Sequence, residues 1–335
     1  MKGIMFTARG KAELIDEDKP ACREDTVLLR TIYSGLSNGT ERSFLMGGPY
    51  GRGWPCRLAY QHVSEIVEAG SAIARFAAGD VVVSGTFAGH VEYHLAKDGH
   101  LMAKLPRGFD LQSAALIGLA AVSFHDAQRA RVQRGENVLV FGAGLIGQFA
   151  AQAARAMGAR VTIADRHPDR LELARELGAD LAVDMAAPDG AEALRAGKPY
   201  SVIFECSGGD VLDLIIGNRG GEPGLLARRA HARLVLVAGC FRVEYDFKAA
   251  GWAELDILHT QHFDQADLEQ VVNLVGRGAI RIRPLIRDVV PLTEAVRIFD
   301  ILRDNRSQLL RTIFAVGHEP PGWYEPIAPR PTAAP

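Results

Sequence analysis

The sequence has few cysteines and no strong excess of either charge. Its four cysteines, Cys22, Cys56, Cys206 and Cys240, lie far apart and form no CxxC pair, which argues against a disulfide framework and against a zinc site built from neighbouring residues. A net charge of −2 provides no basic field that would attract nucleic acid or anionic lipid. No apolar run reaches the length of about eighteen residues that a membrane span needs, and the N-terminus lacks the apolar core of a signal peptide. We therefore expect a cytoplasmic protein.

The length of 335 residues predicts about two domains. Residues 1–110 contain many short strand-like segments separated by Gly, Pro and Asp, a spacing that favours a compact antiparallel barrel. Residues 111–135 are rich in Ala and Leu with helical periodicity, and they end just before a glycine-rich motif. This segment is predicted to be a helix that joins the two domains.

Residues 137–165 (NVLVFGAGLIGQFAAQAARAMGARVTIAD) form the most informative stretch of the chain. An apolar strand leads through the motif GAGLIG into an amphipathic helix, and a second apolar strand follows. In such a motif Gly142 permits the tight turn, Gly144 lets the backbone approach a pyrophosphate, and Gly147 lets helix and strand pack closely. The free N–H groups of Leu145 and Ile146 at the start of the helix favour the phosphates. The stretch predicts a dinucleotide site.

An acid ends the second strand of this unit. Asp165 stands where a carboxylate can accept both hydroxyl groups of an adenosine ribose, and a 2′-phosphate there would meet like charge. The sequence therefore favours NAD over NADP, although Arg166 offers a phosphate partner and is also expected to lie over the adenine.

Strands and helices continue to alternate after Asp165, which predicts a doubly wound parallel sheet. Cys206 and Ser207 follow one of its strands and Gly239 follows the next, so these residues are expected to line the cofactor pocket at the carboxyl edge of the sheet. The pattern further predicts a helix over residues 223–231 and a strand over residues 254–263. The proline-rich residues 319–335 are expected to be extended or disordered.

Several segments resemble the medium-chain dehydrogenase/reductase superfamily of zinc alcohol and polyol dehydrogenases and their zinc-free relatives. They are GLSNGTE (residues 35–41), YQHVSEIVEAG (60–70), GDVV (79–82), GHVEY (89–93), AALIGLAAV (114–122) and GAGLIG (142–147). The resemblance implies an α/β protein in which a GroES-like antiparallel catalytic barrel, residues 1–120 and 265–318, is interrupted by a Rossmann domain, residues 121–264. It also implies an oxidoreductase that binds a small-molecule substrate in the cleft between the domains, and a homodimer formed at the edge of the Rossmann sheet.

Compared with the zinc enzymes of that superfamily, the chain lacks the expected metal ligands. Ser37 or Asn38 stands where the first ligand Cys is expected, Tyr60 stands for the ligand His, and residues 118–120 (Gly-Leu-Ala) stand for the third ligand. The structural zinc lobe is absent as well, because residues 84–112 contain no Cys. Zn²⁺ needs anionic or imidazole ligands in a tetrahedral array, and neutral Asn, Ser and Leu do not supply them, so we expect no metal.

Without a metal, a side chain must handle the proton at the substrate oxygen. The candidates are Tyr60, Thr40, Glu41, His62 and Asn38. Tyr60 is the first choice because its phenol replaces a metal ligand and a neighbouring cation or amide would lower its pKa, and Thr40 is a candidate for a proton relay. Each has a structural alternative: Tyr60 fills space, Glu41 anchors the helix that follows it, and His62 lies on a partly solvated strand.

Other histidines are weaker candidates. His90 and His94 are expected to be surface residues, and His262 stands outside the main group.

The resulting hypothesis is an NAD-dependent, zinc-independent dehydrogenase for a secondary alcohol of a sugar, cyclitol or bulky cyclic substrate. A zinc-free NAD(P)H reductase of quinones or enones is an alternative, and so is a nucleotide-binding protein without catalytic activity.

Overall fold

The computed structural model describes residues 1–218, 223–227, 231–305, 308 and 311–324. Its strands are β1 (Lys2–Ala8), β2 (Lys11–Asp16), β3 (Thr26–Gly35), β4 (His62–Ala69), β5 (Val81–Ser84), β6 (Tyr93–Lys97), β7 (Met102–Lys104), β8 (Asn137–Phe141), β9 (Arg160–Asp165), β10 (Leu181–Asp184), β11 (Val202–Glu205), β12 (Arg233–Leu236), β13 (Asp256–His259), β14 (Asp288–Pro291) and β15 (Thr312–Ala315). Its helices are α1 (Asn38–Met46), α2 (Leu111–Ala114), α3 (Ile117–Arg129), α4 (Leu145–Ala156), α5 (Pro168–Glu176), α6 (Gly190–Gly197), α7 (Leu212–Ile216), α8 (Phe247–Ala253), α9 (Gln265–Gly276) and α10 (Ala295–Asp304). Within the same residues, no helix combines the length and the apolar character that crossing a membrane requires.

Six strands form a wholly parallel sheet in the order β10-β9-β8-β11-β12-β13. The central strands β8 and β11 are almost entirely buried, as expected for a sheet covered on both faces by helices. The direction of winding reverses between β8 and β11, and an open sheet of this kind binds its ligand at the carboxyl ends of the strands beside that switch point. The loops after β8 and β11 therefore bound the expected ligand crevice.

The remaining part of the chain forms an antiparallel framework around β3. The sheet runs β14-β15-β3-β4-β5-β7, β6 also pairs with β3, and β1 and β2 form a separate hairpin. Strand β15 comes from near the end of the chain and pairs with β3 near its beginning, which returns the chain to the first sheet. The predicted fold class, a doubly wound parallel sheet with an antiparallel barrel-like sheet, is confirmed.

Helix α3 connects the two sheets and belongs to the core of both. Its residues from Ile117 to Ala121 are buried, and one continuous apolar cluster includes Ile32 and Val63 of the antiparallel sheet together with Val138 and Phe204 of the parallel sheet. Helix α4 packs against α3, which contains the small residues Gly118, Ala120, Ala121 and Ala127. The two sheets therefore share a packed core along this helix.

Two predicted elements differ in the structure. Among residues 223–231, the described residues 223–227 form bridges instead of a helix: Pro223 pairs with Gly217 and Leu226 with Tyr200. The backbone N–H groups of Leu225 and Ala227 donate to Ile215 and Tyr200, so they are not available for helical bonds. Residues 228–230 of that prediction lie outside the described residues.

The predicted strand over residues 254–263 is shorter, because β13 ends at His259. The chain then turns, and His262 adopts a left-handed conformation with φ of 58° before Asp264 caps α9. A non-glycine residue with positive φ cannot continue a strand.

The first residues of the proline-rich end are packed, contrary to prediction. Trp323 is buried and its indole Nε1 donates to the Phe109 carbonyl at 2.8 Å. The Tyr33 hydroxyl donates to Glu319 Oε1 at 2.9 Å. Aromatic and carboxylate groups thus fix residues 319–324, and residues 325–335 lie outside the described part of the chain.

Candidate active site

The glycine-rich loop after β8 has the geometry that its sequence predicts. Gly142 has φ of 100°, a conformation that is costly for any residue with a side chain. A Cβ atom on Gly147 would lie 1.8 Å from the Gly142 carbonyl oxygen, so only glycine lets α4 begin this close to β8. A Cβ atom on Gly144 would meet nothing within 4 Å. The space in front of Gly144 is therefore open at the start of α4, where a pyrophosphate fits.

Asp165 is buried at the end of β9 and is engaged by the backbone. Its Oδ2 accepts the N–H of Ala143 at 2.7 Å, and its Oδ1 accepts those of Arg166 and His167 at 2.7 and 3.0 Å. Arg170 lies 3.6 Å from Oδ2. A carboxylate accepts about four hydrogen bonds, so little capacity remains and a ribose would share Oδ2 with Arg170. Asp165 thereby holds the glycine-rich loop after β8 against the end of β9.

The loop after β11 forms the other side of the crevice. The buried Glu205 accepts the N–H groups of Ser207 and Gly208 at 2.8 and 3.0 Å, which turns the chain sharply after the strand. A Cβ atom on Gly142 would lie 2.8 Å from the Ser207 nitrogen, so this loop touches the nucleotide loop. Burial raises the pKa of the Cys206 thiol well above its usual value, and the charge of Glu205 adds to the rise. The neutral thiol form of Cys206 is therefore favoured over the thiolate.

Tyr60 precedes β4 and is buried in the antiparallel sheet domain. Its hydroxyl lies 3.1 Å from Ser37 Oγ. Burial raises the pKa of Tyr60 to about 12, and hydrogen bonds from the hydroxyl groups of Ser37 and Thr40 only partly oppose this effect. The expected lowering of this pKa is wrong, because the charged group within range is the carboxylate of Glu41, which raises it further. Tyr60 is therefore a neutral phenol at physiological pH.

Glu41 and His90 form a buried pair beneath this tyrosine. Glu41 Oε2 lies 2.8 Å from His90 Nε2, and Glu41 Oε1 accepts the backbone N–H of Ser37 at 2.7 Å. His90 Nδ1 lies 2.7 Å from Ser34 Oγ. Both side chains are almost fully inaccessible, so the expectation of a surface His90 is wrong. The pair holds Ser37 at the start of α1, and Ser37 in turn positions the Tyr60 hydroxyl.

His62 faces the interior of the antiparallel sheet domain. It is fully buried, its Nε2 lies 2.8 Å from the Gly89 carbonyl, and its ring centroid lies 4.6 Å from that of His94, with the two rings tilted by 43°. Burial lowers the pKa of His62 to about 4 and that of His94 well below 6.5. The expected solvated face and a surface position for His94 are therefore wrong, because both strand faces at this point are covered.

Asn38 begins α1 and is partly buried. Arg166 is exposed beside Asp165, and Leu145 and Ile146 lie in the first turn of α4 as predicted. Thr40 is partly buried one turn into α1.

The position of the third expected metal ligand is filled by a neighbouring side chain. Gln61 Cγ would lie 2.8 Å from a Cβ atom on Gly118, and Gln61 Oε1 accepts the N–H of Leu119 at 2.9 Å. Over the described residues, no three His, Cys, Asp or Glu side chains cluster so that they could hold a metal ion. Neutral Ser37 and Tyr60 thus stand where the resemblance places two ligands, the neutral Gln61 side chain fills the space at the third position, and this set of side chains does not fit Zn²⁺.

His262 is the site residue that sequence reasoning underrated. Its ring centroid lies 5.2 Å from that of Tyr60 and 5.1 Å from that of Phe87, and its ring stacks on Phe263 at 4.3 Å. Its buried Nε2 has no partner among the described residues. Since His262 follows β13, it brings the carboxyl edge of the parallel sheet against Tyr60. The left-handed conformation that achieves this has no signature in the sequence.

Tyr50 makes a second contact between the domains. It follows α1, and its ring lies over Gly239 so closely that a Cβ atom on Gly239 would be 2.5 Å from the phenol. Gly239 follows β12, the next strand of the sheet after β11. Through Tyr50 on Gly239 and His262 on Tyr60, the loops at the carboxyl edge of the parallel sheet therefore contact the antiparallel sheet domain.

The chain is similar in sequence to known dehydrogenases and reductases. The family model described as zinc-binding dehydrogenase matches residues 146–275. The 2-dehydro-3-deoxy-L-galactonate 5-dehydrogenase of Pseudoalteromonas atlantica is 32% identical over 200 residues, which span 57% of this chain and about half, 54%, of that protein. The probable D-xylulose reductase A of Arthroderma otae is 26% identical over 94% of this chain and 97% of its own length.

Solved structures share the whole architecture. The crystal structure of galactitol-1-phosphate dehydrogenase from Escherichia coli has a TM-score of 0.82 with this chain at 20% identity, and the match covers 94% of this chain and 100% of that one. At this identity the likeness shows the fold alone. The sequence relatives and the family model agree with this likeness, and the chain is similar to zinc-binding, alcohol and polyol dehydrogenases, which are oxidoreductases.

Proposed function

We propose that this chain is an NAD-dependent, zinc-independent dehydrogenase that transfers a hydride between the nicotinamide and a secondary alcohol or ketone. The observation that carries the proposal is the Tyr60 phenol, held by hydroxyl groups where related zinc enzymes are expected to place a metal ligand. The relatives named for a galactonate derivative, xylulose and galactitol phosphate support a polyhydroxylated substrate. The substrate class is therefore a sugar, a cyclitol or a bulky cyclic alcohol.

Tyr60 acts as the proton donor in the reducing direction. Bound nicotinamide supplies the hydride for the carbonyl carbon. The neutral phenol donates a hydrogen bond to the carbonyl oxygen and gives up its proton as the new C–H bond forms and the C=O π electrons become the O–H bond. The hydroxyl groups of Ser37 and Thr40 stabilise the phenolate left behind, and Thr40 relays a proton back to it. Phe87 and His262 shield this exchange from bulk water.

The glycine-rich loop supports NAD as the cofactor. The open space before Gly144 accepts a pyrophosphate without a steric conflict, and the helix behind it favours negative charge. The buried carboxylate of Asp165 disfavours the 2′-phosphate of NADP by charge repulsion. Asp165 and the N–H groups of Leu145 and Ile146 are the residues that would hold the two ends of the adenosine diphosphate part.

A Tyr60→Phe variant tests the mechanism. Loss of the phenol is expected to lower turnover by about 10²- to 10⁴-fold, the usual contribution of a general acid, while the affinity for NADH stays unchanged. The matched control is Tyr33→Phe, because burial also raises the pKa of Tyr33 to about 12 and its hydroxyl contacts Glu319. Unchanged turnover in Tyr60→Phe would remove Tyr60 from the mechanism.

Metal content tests zinc independence separately. Purified protein is expected to hold no stoichiometric zinc by inductively coupled plasma mass spectrometry and to keep its activity after dialysis against a chelator. One zinc per chain, with activity lost on chelation and restored by zinc, would contradict the assignment of Ser37, Tyr60 and Gln61 as non-ligands.

A zinc-free NADPH-dependent reductase of quinones or enones is the second candidate. Two arginines favour it: Arg170 lies 3.6 Å from Asp165, and Arg166 is exposed beside that acid. Both are placed to bind a 2′-phosphate if the Asp165 carboxylate remains occupied by the backbone. Tighter binding of NADPH than of NADH in a fluorescence titration would favour this candidate and count against the NAD assignment.

A homodimer through β13 completes the proposal. β13 is the edge of the parallel sheet, and its residues Ile257 and Leu258 are half-buried. Phe247 and Trp252 of the adjacent α8 are exposed. A free strand edge with apolar neighbours favours pairing with a second copy. Light scattering after size-exclusion chromatography should give twice the chain mass, and a monomeric mass at micromolar concentration would argue against the dimer.

A further inference from the structure

Asp126 is a buried carboxylate that the proposed mechanism does not use. It lies in the middle of α3, is fully inaccessible to solvent, and neither of its carboxylate oxygens has a hydrogen-bond partner of good geometry among the described residues. A buried ionised group without partners is costly, so proteins rarely keep one without a purpose. The same helix also carries His125, whose Nδ1 lies 2.7 Å from Asp267 Oδ2.

The surroundings of Asp126 place it at the ligand-binding edge of the parallel sheet. The Thr260 hydroxyl lies beside the carboxyl group, and Cys206 lies within its electrostatic range. Thr260 follows β13 and Cys206 follows β11. The phenol of Tyr50 lies over Gly239 after β12, and the negative charge of Asp126 contributes to raising the pKa of this phenol. The carboxyl ends of the three neighbouring strands β11, β12 and β13 therefore lie near the Asp126 carboxylate.

The charge state of Asp126 depends on what approaches it. Burial raises the pKa of Asp126 to about 6, the hydroxyl of Thr260 and the charge of His125 oppose the rise, and Asp267 adds to it. Near neutral pH the group is therefore still mostly ionised in the interior. A cation or an N–H donor placed beside it would remove the unfavourable burial of its charge.

We infer that Asp126 serves the nicotinamide end of the bound cofactor, where its carboxylate stabilises the cationic ring of NAD⁺ in preference to the neutral ring of NADH. The inference rests on the proposed function, because it requires a nicotinamide at the carboxyl edge of the sheet. The phosphates are held by the loop after β8, and the ends of β11, β12 and β13 remain for the other half of a dinucleotide. A negative charge there biases the oxidised form by Coulomb attraction. Asp126 is a positioning residue in this role.

Separate titrations of the full chain with NAD⁺ and NADH test this role. Asp126→Asn keeps the shape and removes the charge, so the Kd for NAD⁺ is expected to rise about tenfold while the Kd for NADH changes by less than about threefold. The matched control is Asp180→Asn, an exposed carboxylate of the same domain that contacts Arg155. It should change neither Kd. An equal loss for both cofactors, or no change, would overturn the inference.

The wild-type chain provides a second measurement that needs no stable Asp126 variant. As pH falls from about 8 to about 5, Asp126 is protonated, so the preference for NAD⁺ over NADH should fall by up to about tenfold in total. His125, Asp267, Glu205 and Thr260 are the other polar groups facing this region, so His125→Gln must retain the dependence. A preference that does not vary with pH would overturn the inference. If neither cofactor binds at any pH, the proposed function itself fails.

Discussion

The nucleotide loop and the Tyr60 pocket are two halves of one cleft that are built in different ways. The loop is local, because Gly142, Gly144 and Gly147 lie within six residues of each other. The positive φ of Gly142, the open space at Gly144 and the close contact of Gly147 each follow from the absence of a side chain. The pocket is assembled from distant segments, since Tyr60 meets Ser37 from α1 and His262 from beyond β13. The first can be recognised as a motif, whereas the second exists only after folding.

The largest effect is expected for substitutions in the glycine-rich loop. Gly147→Ala places a Cβ atom 1.8 Å from the Gly142 carbonyl oxygen, so α4 must move away from β8 at a cost of at least about 3 kcal/mol. Gly144→Ala places its Cβ atom in open space and should leave stability unchanged while weakening NAD binding about tenfold. Urea denaturation and NADH titration of both variants measure these effects. Equal stability of the two variants would contradict the local description of the loop.

The second effect concerns the assembled half and depends on pH. Because the pKa of Tyr60 is about 12, the phenol keeps its proton below that value and the phenolate needed for alcohol oxidation is scarce. Oxidation should therefore speed up by about tenfold per pH unit through the alkaline range, and ketone reduction should stay nearly level. Initial rates in both directions measure this difference. In Tyr60→Phe the slope should vanish, and a slope that persists there would assign the proton to another group.

The third effect concerns the pH dependence of stability, which arises in the interior of the antiparallel sheet and does not involve catalysis. Burial lowers the pKa of His62 to about 4 and shifts the pKa of the neighbouring His94 in the same direction. The unfolded chain binds more protons than the folded chain below pH 6.5, so stability is present above that pH and is lost as pH falls toward 4. The loss from His62 is on the order of 3 kcal/mol.

Urea denaturation across this pH range measures the loss of stability. His62→Phe should reduce it, and the matched control His259→Gln, which changes an exposed histidine, should not. A pH dependence that is the same in His62→Phe and in the wild type would show that other groups cause it.

The smallest effect is expected at the rim of the pocket. Phe87 is 61% exposed and contacts Tyr60 and His262. Phe87→Leu keeps an apolar group but removes the aromatic face, so KM for a cyclic substrate should rise by about three- to tenfold with kcat little changed. The matched control is Phe76→Leu, a phenylalanine in the core of the antiparallel sheet. A fall in kcat without a change in KM would mean that Phe87 orders the proton donor instead of the substrate.

The predictions from sequence were accurate where the signal was contiguous. The strand, turn, helix and strand of residues 137–165 lie in the structure as predicted, because each step depends on a residue type with a local conformational requirement. The predicted helix over residues 223–231 failed in its described part because bridges to Gly217 and Tyr200 took its backbone donors. Long-range pairing overrode local propensity there.

The candidate site shows the same division. Tyr60 and Thr40 were singled out by their place in motifs, and the structure brings both to one hydrogen-bonded group. The burial of His90, His62 and His94 was misjudged, because strand alternation does not show when both faces of a sheet are covered. The direction of the Tyr60 pKa shift was misjudged because burial and the Glu41 carboxylate raise it. His262 and Asp126 stand in no motif, and their importance comes from neighbours far away in the chain.

The sequence by itself determined the dinucleotide loop, the acid that follows it, the fold class and the neutral residues at the expected ligand positions. All of these depend on residue identity at fixed spacing. A glycine permits a tight turn, and a neutral residue at a ligand position fails to supply an anionic ligand, whatever the fold of the rest of the chain. Tertiary structure alone decided which side chains share the cleft, which histidines are buried and which carboxylate lacks a partner. Burial and electrostatic coupling arise from the packing of distant segments, and no local pattern encodes them.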